Sequence, residues 1–419
     1  MQYSQQPRSS VAVVGLGYVG LPLAEAFARH LSVVGIDINS DRVSELKNTT
    51  YTIDLSFSDD FKDVANKDFV IIAVPTPVTK SKEPDLGPVR AAATSVAGHL
   101  TKGTIVVLES TVFPGVTEEV VVPILERGSG LMCGSGFGMA YCPERINPGD
   151  SEHTIERTTK VVSGNDDETA DRVQWLYGLI AGSVYRAPDI ATAEASKVIE
   201  NVQRDLNIAL VNELAIIFAR MGLDTEQVLS AAATKWNFHR YSPGMVGGHC
   251  IPVDPYYLIY RARELGYHAQ VIAAGRAIND SMPKYVAEMT VKALNRAHKV
   301  IRDSRVLVLG LSYKENIADT RESPSYELIR ELQDYGVDIF VHDPCVSKDE
   351  APADTRIVER LDHTQDMDAI IVAVAHDEYR ALSVADLKRM SSETAVIVDV
   401  RRLYEPKAVG AAGLLYRTL

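Results

Sequence analysis

One cysteine of this chain sits where covalent chemistry is possible. In Gly244-Met245-Val246-Gly247-Gly248-His249-Cys250-Ile251-Pro252-Val253-Asp254 a thiol lies in a glycine-rich turn with a carboxylate four residues on. Gly247 and Gly248 give the backbone freedom, expose the sulfur and let amides approach a substrate. Cysteines are more often buried and inert than reactive. A flexible turn is nevertheless a poor place for a core residue, and Asp254 offers a base within reach. His249 reads as a residue that orients the loop or simply packs.

A second constellation stands near the amino end. Gly15-Leu16-Gly17-Tyr18-Val19-Gly20 follows the apolar run Val11–Val14 and opens an amphipathic stretch, the context that makes a G-x-G-x-x-G match specific. Gly15 permits the tight turn, Gly17 lets amides approach a pyrophosphate, Gly20 allows helix and strand to pack closely, and the helix N-terminus faces the negative charge. Asp37, 22 residues after Gly15, is placed to accept hydrogen bonds from a ribose diol and to repel a 2′-phosphate, so NAD is expected rather than NADP. Arg42 is either an adenosine contact or a solvated helical arginine.

Further candidates cluster by spacing. Lys197 and Asn201 stand at i and i+4, on one face of a helix, where an ammonium and a carboxamide can stabilise a developing oxyanion. Glu109-Ser110-Thr111 and Cys142-Pro143-Glu144-Arg145-Ile146-Asn147 each follow an apolar strand, at the carboxyl edge where ligands of open α/β sheets bind. In that setting Glu144 is a candidate general base toward water, and Arg145 and Asn147 are candidates to hold substrate oxygens.

These groups need a scaffold, and the pattern supplies one. Val11–Val14, Ser32–Asp37, Phe69–Val74, Thr104–Leu108, Gly138–Tyr141, Lys160–Ser163 and Ser183–Tyr185 read as strands alternating with helices, a doubly wound parallel sheet ending near residue 187. From Asp189 to Met221 there is neither proline nor glycine, and apolar residues recur at helical spacing over roughly 50 Å. This helix is expected to link domains and line a dimer interface. At Arg305 strand and helix alternation restarts without the three-glycine turn. The fold class expected is α/β: two Rossmann-like doubly wound domains (1–187 and 301–419) joined by a long central helix and an all-α dimerisation domain (188–300) that carries the cysteine loop.

Composition limits the partners. The net charge of −13 disfavours nucleic acid, and no apolar run is long enough to span a membrane. The start lacks a signal-peptide pattern, so a cytoplasmic location is expected. Four cysteines without CxxC spacing argue against zinc and against a disulfide framework, and no metal is expected.

Taken in order, VAVVGLGYVGLPLA, VPTP at Val74–Pro77, EASKVIENVQRDLNIALVNE, VGGHCIPVDPYYL and GLSYKENIADTRESPS resemble the nucleotide-sugar 6-dehydrogenases over nearly the whole chain. The resemblance implies oxidation of the C6 alcohol of a UDP-sugar to the uronate by two hydride transfers to NAD. It implies that Cys250 captures the aldehyde as a thiohemiacetal and then carries a thioester. It matches Lys197 and Asn201 to stabilisation of the C6 oxygen, Asp254 to proton transfer, Glu144 to hydrolysis and Thr111 to a hydroxyl near the nicotinamide. Pro75, Thr76 and Arg321 fall at cofactor positions. Lys314 and Arg401, with Gly247, Gly248, Arg240 and Tyr241, fall at substrate positions, Arg240 being of the kind that reaches a neighbouring subunit's sugar. A homodimer through the central helices is also implied.

RINPG after Glu144 and TKWNFHRYSPGMVGGHC before the cysteine resemble most the branch acting on UDP-N-acetylglucosamine or UDP-N-acetylgalactosamine, which feeds capsule and O-antigen synthesis. UDP-N-acetylmannosamine ranks second and UDP-glucose third. Competing readings are a two-electron hydroxyacid dehydrogenase, which has no need of Cys250, and a nucleotide-binding regulator without turnover.

Overall fold

The computed structural model describes residues 9–145, 152 and 154–419. The chain divides into two compact units, Met1–Glu200 with Tyr256–His268, and Asn201–Pro255 with Ala269–Leu419.

The first unit is built on eight strands: β1 (Ser10–Val14), β2 (Ser32–Ile36), β3 (Leu55–Ser58), β4 (Phe69–Ile72), β5 (Ile105–Leu108), β6 (Gly138–Tyr141), β7 (Thr159–Gly164) and β8 (Ser183–Arg186). They lie in the order β3-β2-β1-β4-β5-β6-β7-β8. The central strands are apolar along their length because helices cover both faces; Val11, Val13, Val70, Ile71, Val106 and Val107 are fully buried. One feature departs from the expected all-parallel sheet: β7 pairs antiparallel with β6, Tyr141 opposite Ser163. Between β6 and β7 the described residues contain no helix, and only a parallel return requires a crossover of that size.

At the β1 edge the chain turns at Gly15, whose φ of +95° favours glycine and whose N–H donates to the Ile36 carbonyl at 2.8 Å. Gly20 begins the helix Gly20–Ala28 so close to this turn that a Cβ there would sit 1.8 Å from the Gly15 carbonyl oxygen. That contact lets the helix N-terminus approach the strand ends.

The second unit carries β9 (Arg305–Leu309), β10 (Asp338–His342), β11 (Arg356–Ile357), β12 (Met367–Val372), β13 (Ser391–Asp399) and β14 (Leu415–Thr418), in the order β11-β10-β9-β12-β13-β14. All its pairings are parallel. The helix Gln270–Arg296 covers one face, setting Met282, Val286 and Leu294 against Val306, Val308, Ile371 and Val398. The long helix runs Ile190–Met221, 32 residues. A further helix, Asp254–Glu264, begins where the sequence pattern reads as loop. Its signal was present in Asp254-Pro255, an acidic residue followed by proline, both favoured in a first turn.

Gly20→Ala is expected to destabilise the first unit by about 1–3 kcal/mol through overpacking. A lowered urea midpoint measures it.

Candidate active site

The glycine turn and Asp37 form a preorganised cradle. Asp37 accepts the Leu16 amide at 2.8 Å and the Asn39 amide at 2.9 Å, which fixes its carboxylate at the end of β2. Beside Gly17 the space is open, with nothing within 4 Å of where a Cβ would stand. A close-packed Gly15 and Gly20 flanking an open Gly17 suit a pyrophosphate approaching the backbone, so these residues fit NAD. Ser110 donates to the Val74 carbonyl at 2.7 Å and accepts its amide at 2.9 Å, tying the loop that carries Pro75 and Thr76 to the end of β5. Tyr257 donates to the Thr76 carbonyl. Tyr18 is exposed, Val19 and Thr111 are half-buried, and Arg42 pairs with Glu45 at 2.7 Å.

The second sheet repeats the cradle with further partners on its carboxylate. Gly310 (φ +104°) donates to the His342 carbonyl at 2.9 Å, and Asp343 accepts the Leu311 amide at 2.7 Å and the Cys345 amide at 2.8 Å. Here, however, Asp343 Oδ2 also meets the Ser312 amide at 2.9 Å and His376 Nε2 at 3.2 Å. The imidazole is itself buried. Asp343, Cys345 and His376 have the makings of a metal-ligand trio. Yet His376 Nδ1 already accepts the Asn316 amide at 3.0 Å, leaving that lone pair engaged. Although burial opposes it, the His376 bond and the three amides hold the Asp343 carboxyl down at about 2.

In the first unit, burial raises the carboxyl of Glu109, which follows β5, against the pull of Lys160. Burial alone would lower the Lys160 ammonium, but Glu109 and Glu144 hold it raised. The Tyr177 hydroxyl donates to Glu109. Glu144 takes the Arg145 amide at 2.6 Å, and Arg145 itself is spent on Glu200 at 2.8 Å and the Thr159 carbonyl at 2.8 Å. Asn147 lies outside the described residues. Glu194, three residues before Lys197 on the long helix, accepts the Gly115 amide at 2.6 Å, the Thr117 amide at 2.9 Å and the Thr117 hydroxyl at 2.6 Å. Burial still raises it to about 7 against those donors. It fastens the helix to the loop after Thr111, and Lys197 is buried one turn on. Lys160, Tyr177 and Glu194 were not singled out by sequence reasoning.

In the second unit Asn201 donates to Asp254 Oδ2 at 2.6 Å, while the Asp254 amide donates to the Cys250 carbonyl at 2.9 Å. Carboxylate and thiol loop are thereby held in one turn. Gly248, at φ +92°, lies so near the Tyr313 ring that a Cβ would come within 2.7 Å of it, and its amide donates to the Glu322 carbonyl at 3.3 Å. His249 Nε2 meets Asp319 at 3.0 Å, and Arg321 clasps the same carboxylate at 2.7 and 3.0 Å. Asn212 grips both backbone groups of Gly244, at 2.8 and 3.0 Å, and is backed by Asn279 at 2.8 Å. Arg401 Nη1 lies 3.2 Å from where a Gly244 Cβ would be. Lys314 and Tyr241 are half-buried, and Arg240 pairs with Glu226. Cys250 is exposed, whereas burial pushes the thiols of Cys142, Cys133 and Cys345 up. None of the four cysteines is in a disulfide.

An NAD-type cradle on one sheet, a second Rossmann-like sheet and an exposed thiol in a glycine turn fit a dehydrogenase working on a nucleotide-linked substrate. The chain belongs to the UDP-glucose/GDP-mannose dehydrogenase family: its NAD binding domain matches residues 9–181, its central domain 191–281 and its UDP binding domain 307–406. The chain is 46% identical over 410 residues to UDP-N-acetyl-D-glucosamine 6-dehydrogenase of Pseudomonas aeruginosa, spanning 94% of this chain and 97% of that one. It is 43% identical over 405 residues to the protein of the same name from Salmonella typhi, 93% and 95% covered. The structure of UDP-D-ManNAc dehydrogenase from Pyrococcus horikoshii superposes with a TM-score of 0.88 at 29% identity, covering 98% of each chain. The protein is an NAD-dependent oxidoreductase.

Gly17→Ala, placed in open space, is expected to leave the urea midpoint within about 0.5 kcal/mol of wild type while raising the KM for NAD. A second expectation concerns acid. Since Asp343 sits lower in the fold than its unfolded value of 3.8, its stabilisation is complete above that value and is lost as pH falls through about 2. Asp343→Asn should lower the urea midpoint at neutral pH and flatten its decline across that acid window.

Proposed function

We propose that the protein oxidises C6 of UDP-N-acetylglucosamine to the uronate through a thioester on Cys250. UDP-N-acetylgalactosamine is the next substrate in rank, followed by UDP-N-acetylmannosamine and UDP-glucose. The observation that carries this reading is the exposed Cys250 thiol held in one turn with Asp254, whose carboxylate Asn201 fixes at 2.6 Å. The names of the relatives from Pseudomonas and Salmonella support the N-acetylglucosamine substrate.

The glycine turn and Asp37 would hold NAD, which would supply the hydride acceptor for each oxidation. Asp254 takes up the proton released from the C6 hydroxyl, while Lys197 and Asn201 stabilise the oxygen as charge develops. The Cys250 sulfur then bonds to the aldehyde carbon and the oxygen gains a proton, giving a thiohemiacetal. Loss of that hydroxyl proton and a second hydride leaves the thioester. Glu144 takes a proton from water as it adds to the thioester carbon; the C–S bond breaks, the thiol recovers a proton and the carboxylate departs. A covalent adduct keeps the reactive aldehyde from escaping. Lys314, Arg401 and Arg321 supply cationic contacts for the phosphates of substrate and cofactor, local charge that the acidic whole does not forbid. Thr111, Arg145, Gly247 and Gly248 are the further positions that this reading assigns to substrate and cofactor. The uronate feeds surface polysaccharide synthesis, and the enzyme works in the cytoplasm; no helix among the described residues is long and apolar enough to cross a membrane.

The protein is a homodimer in this account. Ile199, Leu210, Ile217 and Met221 are exposed at 53%, 55%, 44% and 64%, and their spacing places them in one stripe along the long helix, a surface suited to a second copy.

A panel of UDP-sugars read by NADH absorbance tests the substrate, with two NADH expected per UDP-N-acetylglucosamine consumed. One NADH per sugar would favour a two-electron dehydrogenase instead, and full uronate production by Cys250→Ser would overturn the thioester route. For assembly, light scattering should find a dimer that Leu210→Glu with Ile217→Glu converts to monomer.

A further inference from the structure

Lys160 is a charged side chain only 4% exposed, and the chemistry above gives it no part. Its ammonium pairs with Glu109, and Glu144 Oε2 lies 4.0 Å from the same nitrogen. Strand register explains the placement. Ala140 faces Gly164 and Tyr141 faces Ser163 across the antiparallel β6–β7 pair, so the same register continued past β6 sets Lys160 opposite Glu144. Glu109 arrives from the neighbouring strand, as the first residue after Leu108, which pairs with Tyr141.

Other titratable groups surround this trio. The Tyr177 hydroxyl donates to Glu109 and its ring lies 4.9 Å beneath the ammonium. The Cys142 thiol is also buried here, and burial pushes it up, so it carries no charge. Arg145 is turned to Glu200 at 2.8 Å. Two carboxylates brought together in a buried site cannot both stay ionised without a cation between them. Lys160 supplies a cation from within the site.

We propose that Lys160 is a positioning residue for hydrolysis: its ammonium, shared between Glu109 and Glu144, sets positive charge beside the Glu144 carboxyl that takes a proton from water. Glu109 sets how much of that charge Glu144 receives. This rests on the role given above to Glu144.

Rapid mixing of the purified enzyme with UDP-N-acetylglucosamine and NAD tests it. In Lys160→Met the two hydride transfers, read as NADH formed per active site in the first turnover, should keep near wild-type rates, while later turnovers slow at least ~10-fold at neutral pH. The acid limb of the kcat profile should rise by about one to three pH units. Lys160→Arg, which keeps the charge, should restore most of the late rate. Glu109→Gln should move the limb the other way, since Lys160 then faces Glu144 alone; general damage to the fold does not produce that reversal. Limbs unmoved in both Lys160→Met and Glu109→Gln, with Glu144→Gln still slowing the late turnovers, would overturn the proposal. A Glu144→Gln enzyme with wild-type late turnovers would overturn the role of Glu144 itself and the proposal with it.

Discussion

A hydrogen bond of 2.6 Å from the Asn201 carboxamide to Asp254 joins the middle of the longest helix to the first residue of the helix behind the cysteine turn. Both partners are buried, so neither trades this bond for water without cost. Because the Asp254 amide also donates to the Cys250 carbonyl, the position of the carboxylate and that of the thiol loop are one constraint. Asn212, His249 and Gly248 hold the rest of the loop by backbone and ring contacts. A nucleophile on a glycine turn needs such outside fixation, since the turn has little stiffness of its own.

The two sheets show one strand-turn-strand arrangement with different partners. At Gly15 and Asp37 the carboxylate is held by two amides and the space beside Gly17 stays clear. At Gly310 and Asp343 the same backbone geometry recurs, but Asp343 Oδ2 also meets His376 and the Ser312 amide. The two strand ends therefore differ in the polar side chains set around the carboxylate, not in the sheet.

Much of this was legible in the sequence where the period was strong. The buried strands around Val11–Val14 and Val106–Val107, the glycine turn, Asp37 and the uninterrupted helix to Met221 are all local patterns whose physics repeats every two or every few residues. The Asn201–Asp254 pairing was not legible as a contact, because its partners stand 53 positions apart. Lys160 reads as an ordinary strand residue until Glu109, 51 positions away, is folded against it. The antiparallel β6–β7 return escaped notice because strand direction leaves no mark on composition. Arg42 and Arg240 each pair with a glutamate, Glu45 and Glu226, contacts that motif spacing does not reveal. His376 carried no motif signal because its meaning lies in Asp343, 33 positions earlier.

The central claim is that oxidation passes through carbon bonded to Cys250. Intact-protein mass spectrometry after acid quenching of the working enzyme, followed by peptide mapping, tests it most directly. The account predicts an added mass equal to the UDP-N-acetylhexosaminuronoyl group, on the peptide bearing Cys250, enriched in Glu144→Gln and absent in Cys250→Ala. Uronate formed at full rate with no adduct in any variant would contradict it.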